Sequence, residues 1–210
     1  MAPNSKFDIR NSKLVLASAS PRRAEILTSL GIPFAVAPVD IPEDLRPGET
    51  ALEAAPRLAA EKAAAAAARA PDAWVLAADT LVFLDGQTLG KPRDDTEAAA
   101  MLRRLAGREH GVVTAVHLIR GGGSDAGRGV VETSRVRFAP MTEPEILWYV
   151  STGEPRDKAG AYGVQGLGAR FIAEIHGSFT NVMGLPARAV YELLRSAGDP
   201  ALGLLALSSG

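Results

Sequence analysis

The chain has 210 residues, 47% of them hydrophobic, enough to bury a core as one domain or two intimate lobes. Its 23 basic and 24 acidic residues and 5% aromatics lack the basic excess of a general nucleic-acid binder, and an RNA-binding domain is disfavoured on the same grounds. There is no cysteine, which excludes disulfides, thiolate metal sites and a cysteine nucleophile. The start, MAPNSKFDIRNSK, has no apolar signal core, and no apolar run approaches the ~20 residues that span a bilayer. A soluble cytoplasmic protein without a membrane partner is expected.

In chain order, the apolar run LVLA at 14–17 reads as a buried strand and 21–30 as a helix. Ser20 suits the N-cap of that helix, Pro21 its first position and Gly31 its stop. A short strand at 34–38 and a polar, proline-bearing loop at 39–50 follow. An alanine-rich helix is expected over 50–69, in which Pro56 either bends the helix or marks its true start. WVLAADTLVFLDGQTLGKP, 74–92, reads as a strand, an acidic interruption, a second strand and the hairpin turn Asp85-Gly86. Then come an amphipathic helix at 94–105 stopped by Gly107, a long hairpin of 112–120 and 130–140 around GGGSDAG, and a helix at 142–151. A strand at 170–177 and a helix at 185–196 close the series. The tail GDPALGLLALSSG, apolar in its middle, docks on the body or on a partner, or stays loose. Alternating strands and helices with antiparallel hairpins predict an α/β fold with a mixed sheet.

The helix beginning at Pro21 poses a chemical question. A helix N-terminus carries partial positive charge and favours acids, yet Arg22 and Arg23 stand there. Free N–H groups, the Ser18 and Ser20 hydroxyls and two guanidinium forks together suit a phosphate. The plain alternative is that both arginines reach solvent while Ser20 caps the helix. Asp79 and Thr80 end an apolar strand, where the carboxylate is either partly buried or at the sheet's carboxyl edge, near which open α/β sheets bind ligands. Asp79 suits a divalent ion or a general base on water, or is a turn residue. Lys91 is held between Gly90 and Pro92; it neutralises a phosphate or lies on the surface. GQTLGKP is no Walker A loop, because the spacing is short and proline replaces Ser/Thr. Taken singly, Glu61-Lys62 reads as a solvated pair, and Asp40 and Glu43 as polar loop residues. In DKAGAYGVQGLGARF, 157–171, four glycines (160, 163, 166 and 168) permit close backbone approach. There Tyr162 either stacks on a ring or packs in the core, and the Gln165 amide is able to read a base edge. His110, His117 and His176 show no metal-site spacing and receive no role.

Together, LASASPRRAEIL, RLAAEKA, AADTLVFLDGQTLGKP, VTAV, STGEPRDKAGAYGVQGLGARFI and NVMGLP resemble, in order and spacing, the Maf family of nucleoside triphosphate pyrophosphatases, also named septum formation inhibitors. The resemblance runs from about residue 14 to 194. It implies a two-lobed, ITPase-like α/β fold, with a central mixed sheet flanked by helices and a deep cleft. It also implies a single domain over 1–210 with roughly the first and last 12 residues peripheral. The implied reaction cleaves between the α- and β-phosphates, releasing a nucleoside monophosphate and pyrophosphate with Mg²⁺ or Mn²⁺. Asp79 is then the catalytic carboxylate and, with Glu43, a metal ligand. Ser18, Ser20, Arg22, Arg23, Lys62, Thr80, Lys91 and Gln165 are then substrate-binding. Arg22, Thr80 and Gln165 resemble the branch acting on dTTP and UTP rather than the 7-methyl-GTP branch. Pro42 stands where the family's acidic loop has another acid, leaving Asp40 and Glu43. A house-cleaning role on canonical or modified pyrimidine nucleotides and a homodimer are part of the same implication. The competing class is a non-catalytic, nucleotide-binding regulator of cell division. Against it stands Asp79 amid the cations, because a carboxylate near phosphates repels them unless a metal intervenes.

Overall fold

The computed structural model describes residues 13–123, 126–199 and 202. The readings made for the first 12 residues and for the tail after 202 lie outside them. Seven strands form one mixed sheet: β1 (Leu14–Leu16), β2 (Ala35–Val36), β3 (Trp74–Leu84), β4 (Gln87–Leu89), β5 (Glu109–Arg120), β6 (Arg128–Phe138) and β7 (Ile172–His176). Their order is β2-β1-β3-β5-β6-β7, with β4 paired to the far end of β3. β2, β1 and β3 run parallel, and all other pairs are antiparallel. The helices are α1 (Pro21–Ser29), α2 (Ala51–Ala67), α3 (Asp95–Leu105), α4 (Glu143–Ser151), α5 (Phe179–Met183) and α6 (Ala187–Ser196).

Side-chain alternation along β3 sorts the two faces. Val75 and Ala77 pack under α2 beside Ala63, Ala66 and Ala67, and Leu81 and Phe83 pack beside Ala51, Ala55 and Ala59. Alanine is the residue that lets a helix lie this close to a sheet over its whole length. On the opposite face two apolar clusters form. Leu76 and Ala78 join Leu14, Leu16, Ile26, Leu27 and Leu194 under α1 and α6. Val82 and Leu84 join Leu102, Leu105, Phe138, Ile146 and Tyr149 under α3 and α4. Leu202, in the tail, is buried in the first of these clusters.

Three expectations change. β3 is one continuous strand, and the acidic interruption lies inside it rather than at its end: Asp79 and Thr80 keep their register with Ala115 and Thr114 of β5. Pro56 does not start α2. The helix begins five residues earlier with a capping box, in which Glu53 Oε2 accepts from both the N–H and the hydroxyl of Thr50. Finally, β7 is shorter than the strand expected at 170–177 and follows a 3-10 turn, Gly166–Phe171; α5 had no counterpart in the sequence reading.

Candidate active site

One edge of β3 holds the key to the cavity. Its first residues pair with β1 through Leu76 and its last with β4 from Val82. Between them that edge has no strand neighbour among the described residues, and a cavity of about 540 Å³ opens there, lined by Ser18 to Arg23, Glu43, Lys62, Asp79, Thr80, Lys91, Asp157, Lys158 and the 162–164 segment. Because neighbouring strand residues face opposite ways, Asp79 points toward α2 and Thr80 toward α1 and α5, and both reach the same opening.

On the α2 side, Lys62 Nζ donates to Asp79 Oδ1 at 2.6 Å and to Glu43 Oε1 at 2.5 Å. Lys62 is 7% exposed and Asp79 5%. An unpaired ammonium there would be costly; two carboxylates make its burial tolerable. The solvated-pair reading of Glu61-Lys62 is thus wrong for Lys62. Glu61 alone faces outward, bonded to Arg46 and Arg57. Lys91 Nζ, well exposed, donates to Glu43 Oε2 at 3.0 Å. Burial would raise the Glu43 pKa, but the bonds from Lys62 and Lys91 outweigh it and hold the carboxyl at about 2. Asp79 Oδ2 is buried with no hydrogen-bond partner among the described residues.

On the other side lies the N-terminus of α1. Ser20 occupies the cap position, but its hydroxyl makes no cap bond, and the first turn holds no acid. The first-turn N–H groups are therefore open to an outside acceptor. Arg23 is clamped: Nε donates to Gly184 O at 2.8 Å, Nη1 to Ser18 Oγ at 3.0 Å and Nη2 to Thr80 Oγ1 at 3.2 Å. Burial lowers its pKa, opposed by the charges of Asp79 and Glu43. Arg22 lines the same wall, near Asp157.

The glycine-rich 157–171 segment wraps a carboxylate of the chain itself. Glu154 Oε1 accepts from Tyr149 Oη (2.8 Å) and Gly168 N (3.0 Å), and Oε2 accepts from Leu167 N (2.9 Å). A Cβ at Gly168 would stand 2.5 Å from Tyr149 Oη and from Gly163 O, and one at Gly166 2.8 Å from Glu154 Oε2. Tyr162 belongs to the core: its hydroxyl meets His110 Nε2 at 2.8 Å and its ring packs edge-on against Phe138. Gln165 is exposed and is not part of the cavity wall, which ends at Val164. The structure thus gathers Ser18, Ser20, Arg22, Arg23, Glu43, Lys62, Asp79, Thr80 and Lys91, but leaves Gln165 outside. It adds Asp157 and Lys158, which had no role in the sequence reading; their adjacency to the glycine-rich segment was the available signal.

The fold and the site define an α/β protein with a cleft built for a polyanion, in which a carboxylate stands among cations. The chain belongs to the Maf family: residues 13–197 match the model described as "Maf-like protein". Among similar proteins are those named dTTP/UTP pyrophosphatase from Syntrophus aciditrophicus (53% identical, covering 89% of this chain and 91% of that one) and Symbiobacterium thermophilum (49%, covering 90% and 95%). The same name is carried by a relative from Myxococcus xanthus (50%, covering 89% and 93%). The solved structure of a HAM1 protein from Coxiella burnetii matches with TM-score 0.51 at 18% identity, covering 88% of this chain and 99% of that one, which shows a shared fold.

Proposed function

We propose that this protein hydrolyses the pyrimidine nucleoside triphosphates dTTP and UTP to the monophosphate and pyrophosphate. One observation carries the reading: Asp79, a residue of the cavity wall held at Oδ1 by Lys62, keeps a buried Oδ2 without a partner among the described residues, and the opposite wall is an uncapped helix end bearing two arginines. Family membership and the names of the relatives support it.

In this reading the triphosphate lies between the α1 N-terminus and the lysines, and its charge takes the place that first-turn acids hold in ordinary helices. Asp79 Oδ2 accepts a proton from the water that attacks the α-phosphorus. Pyrophosphate leaves, and Arg22, Arg23, Lys62 and Lys91 stabilise the charge it gathers. Lys62 orients Asp79 through its bond to Oδ1. Ser18 and Ser20 serve binding; neither has a base beside it, so no covalent nucleophile is invoked.

Among the described residues no group of three or more His, Asp or Glu is gathered for a metal. The donors nevertheless fit a hard cation that arrives with its substrate. Mg²⁺ is commonly held by one or two carboxylates plus phosphates, and Asp79 Oδ2 is a free oxygen donor, with the half-exposed Glu43 close by. Asp79 and Glu43 would hold the Mg²⁺ or Mn²⁺ ion, which would neutralise phosphate charge and acidify water.

On the family resemblance Arg22 and Gln165 read the base; Thr80, which the same resemblance groups with them, bonds Arg23. Gln165 sits outside the wall, so its part requires the 163–168 segment to shift on binding. Clearing stray or modified pyrimidine nucleotides, a cytoplasmic setting and a homodimer rest on the same resemblance. No helix among the described residues is long and apolar enough to cross a membrane.

Pyrophosphate release across the nucleoside triphosphates, with Mg²⁺, with Mn²⁺ and with chelator, tests the proposal. Metal-dependent release from dTTP and UTP, with little from purines, is expected. A folded protein that turns over none of them would overturn it.

A further inference from the structure

Behind Arg23 runs a buried chain of hydroxyls that leads away from the cavity. Thr80 Oγ1 lies 2.9 Å from Thr114 Oγ1, and Thr114 Oγ1 donates to Asn181 O at 2.9 Å. Thr114 and Asn181 are fully buried, and neither lines the cavity. The proton order along this chain follows from counting. Each threonine has one hydroxyl proton. If Thr114 spends its proton on Asn181 O, Thr80 donates to Thr114, and both bonds are 2.9 Å long. In the reverse order the acceptor left to Thr80 among the described residues is Gly184 O, at 3.5 Å, and that carbonyl already accepts from Arg23 Nε at 2.8 Å. The first order makes two good bonds, the second one good bond and one at the limit.

With that order Thr80 turns only lone pairs toward the cavity side, and one of them takes Arg23 Nη2. Thr80 then has no proton for a base carbonyl. The other acceptor that fixes Arg23, Gly184 O, hangs from the same anchor. Asn181 ties α5 to the sheet by donating from Nδ2 to Val112 O (3.1 Å) and Ser134 Oγ (2.9 Å), and Gly184 ends that helix. A guanidinium has five N–H donors. Protein acceptors among the described residues claim three of those of Arg23, which leaves one on each terminal nitrogen, the pair that suits two oxygens of one phosphate.

We propose that Thr114, backed by Asn181, is a positioning residue: it commits the Thr80 hydroxyl away from Arg23, so that Thr80 accepts from Arg23 and aims its two remaining donors at the substrate phosphates. Thr80 accordingly serves the phosphate side of the site. This rests on the reading of Arg23 as a phosphate ligand of the pyrophosphatase.

A double-mutant cycle tests it, read as the affinity of a dTTP analogue with a non-hydrolysable α,β-bridge, by calorimetry. Thr114→Val keeps the shape and removes the hydroxyl; it is expected to weaken binding about tenfold, the worth of one charge-linked hydrogen bond. Thr114→Ser restores it. In an R23K background Thr114→Val should change affinity less than twofold, because Lys cannot make the fork that Thr80 supports. Equal losses in both backgrounds, or no loss in the native background, would overturn the proposal. If Thr114→Val does not fold, Thr80→Val breaks the same link one step nearer, with the same non-additivity expected and additivity equally fatal. A native protein that neither binds the analogue nor hydrolyses dTTP sinks the pyrophosphatase reading itself; binding with an additive cycle sinks only this inference.

Discussion

Lys62 places one ammonium between two carboxylates in a wall nearly closed to water. Lys62→Met would strip Asp79 of its only hydrogen-bond partner among the described residues and leave a buried charge without its ion pair. We expect a loss of about 3 kcal/mol in urea denaturation, together with turnover reduced at least a hundredfold. An unchanged midpoint would mean that Asp79 does not depend on this pair. Asp79→Asn should instead keep an acceptor for Lys62 and so leave the fold intact, while turnover falls by about 10²–10⁴. Near-native turnover in that variant would remove Asp79 from the base role. His110 belongs to stability. Burial pushes it from 6.5 down to about 4. Between those values the unfolded chain binds a proton and the folded one does not. The contribution of His110 is therefore complete above pH 6.5 and is lost as pH falls toward 4, by about 3 kcal/mol. Urea midpoints at pH 7.5 and 5 should diverge in the native protein and much less in His110→Gln.

Among the elements, α2 combines a legible pattern with a hidden one. Its capping residues, alanine face and length could be read locally, and Pro56 only confused its start. Since Pro56 lies inside the helix, Leu52 O lacks its usual donor there. Pro56→Ala should raise stability by about 1–3 kcal/mol with kcat unchanged; a fall would show that the proline's ring packing matters more than the missing bond. The glycine-rich segment shows the opposite case. Its composition announced a close approach, but the partner, Glu154, stands up to fourteen residues away from the amides it holds. No local signal marks that carboxylate as the clasp. α5 escaped notice because five residues carry too little periodicity. The polar pair at 79–80 read as a break in β3 because strand propensity ignores what a side chain will meet. Lys62 and Thr114 arrive from other elements and bond to both residues in place.

At the scale of the whole molecule, the unpaired stretch of β3 between β1 and β4 lets one strand feed both walls of the cavity. A ligand seated there touches α1, α2, β3 and the loops around them, and so should stabilise the molecule as a unit. A dTTP analogue with Mg²⁺ at about 100 times its dissociation constant should add about 2.7 kcal/mol, or roughly 5–10 °C in Tm. Chelator should remove most of that shift if the metal travels with the phosphates. An undiminished shift would leave the cationic side chains as sufficient partners for the triphosphate.

By itself the sequence determined the α/β class, the order of most strands and helices, the paired arginines at an acid-free helix end, and the family resemblance that nominated ten site residues, nine of which line the cavity. Those properties are encoded in neighbours along the chain: apolar period, capping residues, turn pairs and motif order. Tertiary structure alone decided that Lys62 is buried rather than solvated, that Asp79 keeps one oxygen free, that Thr80 supports Arg23, and that Gln165 stands outside the wall. The partners in these contacts lie 17 and 57 residues apart. Whether a polar group is satisfied or left open depends on what packing brings to it, and no local pattern carries that information.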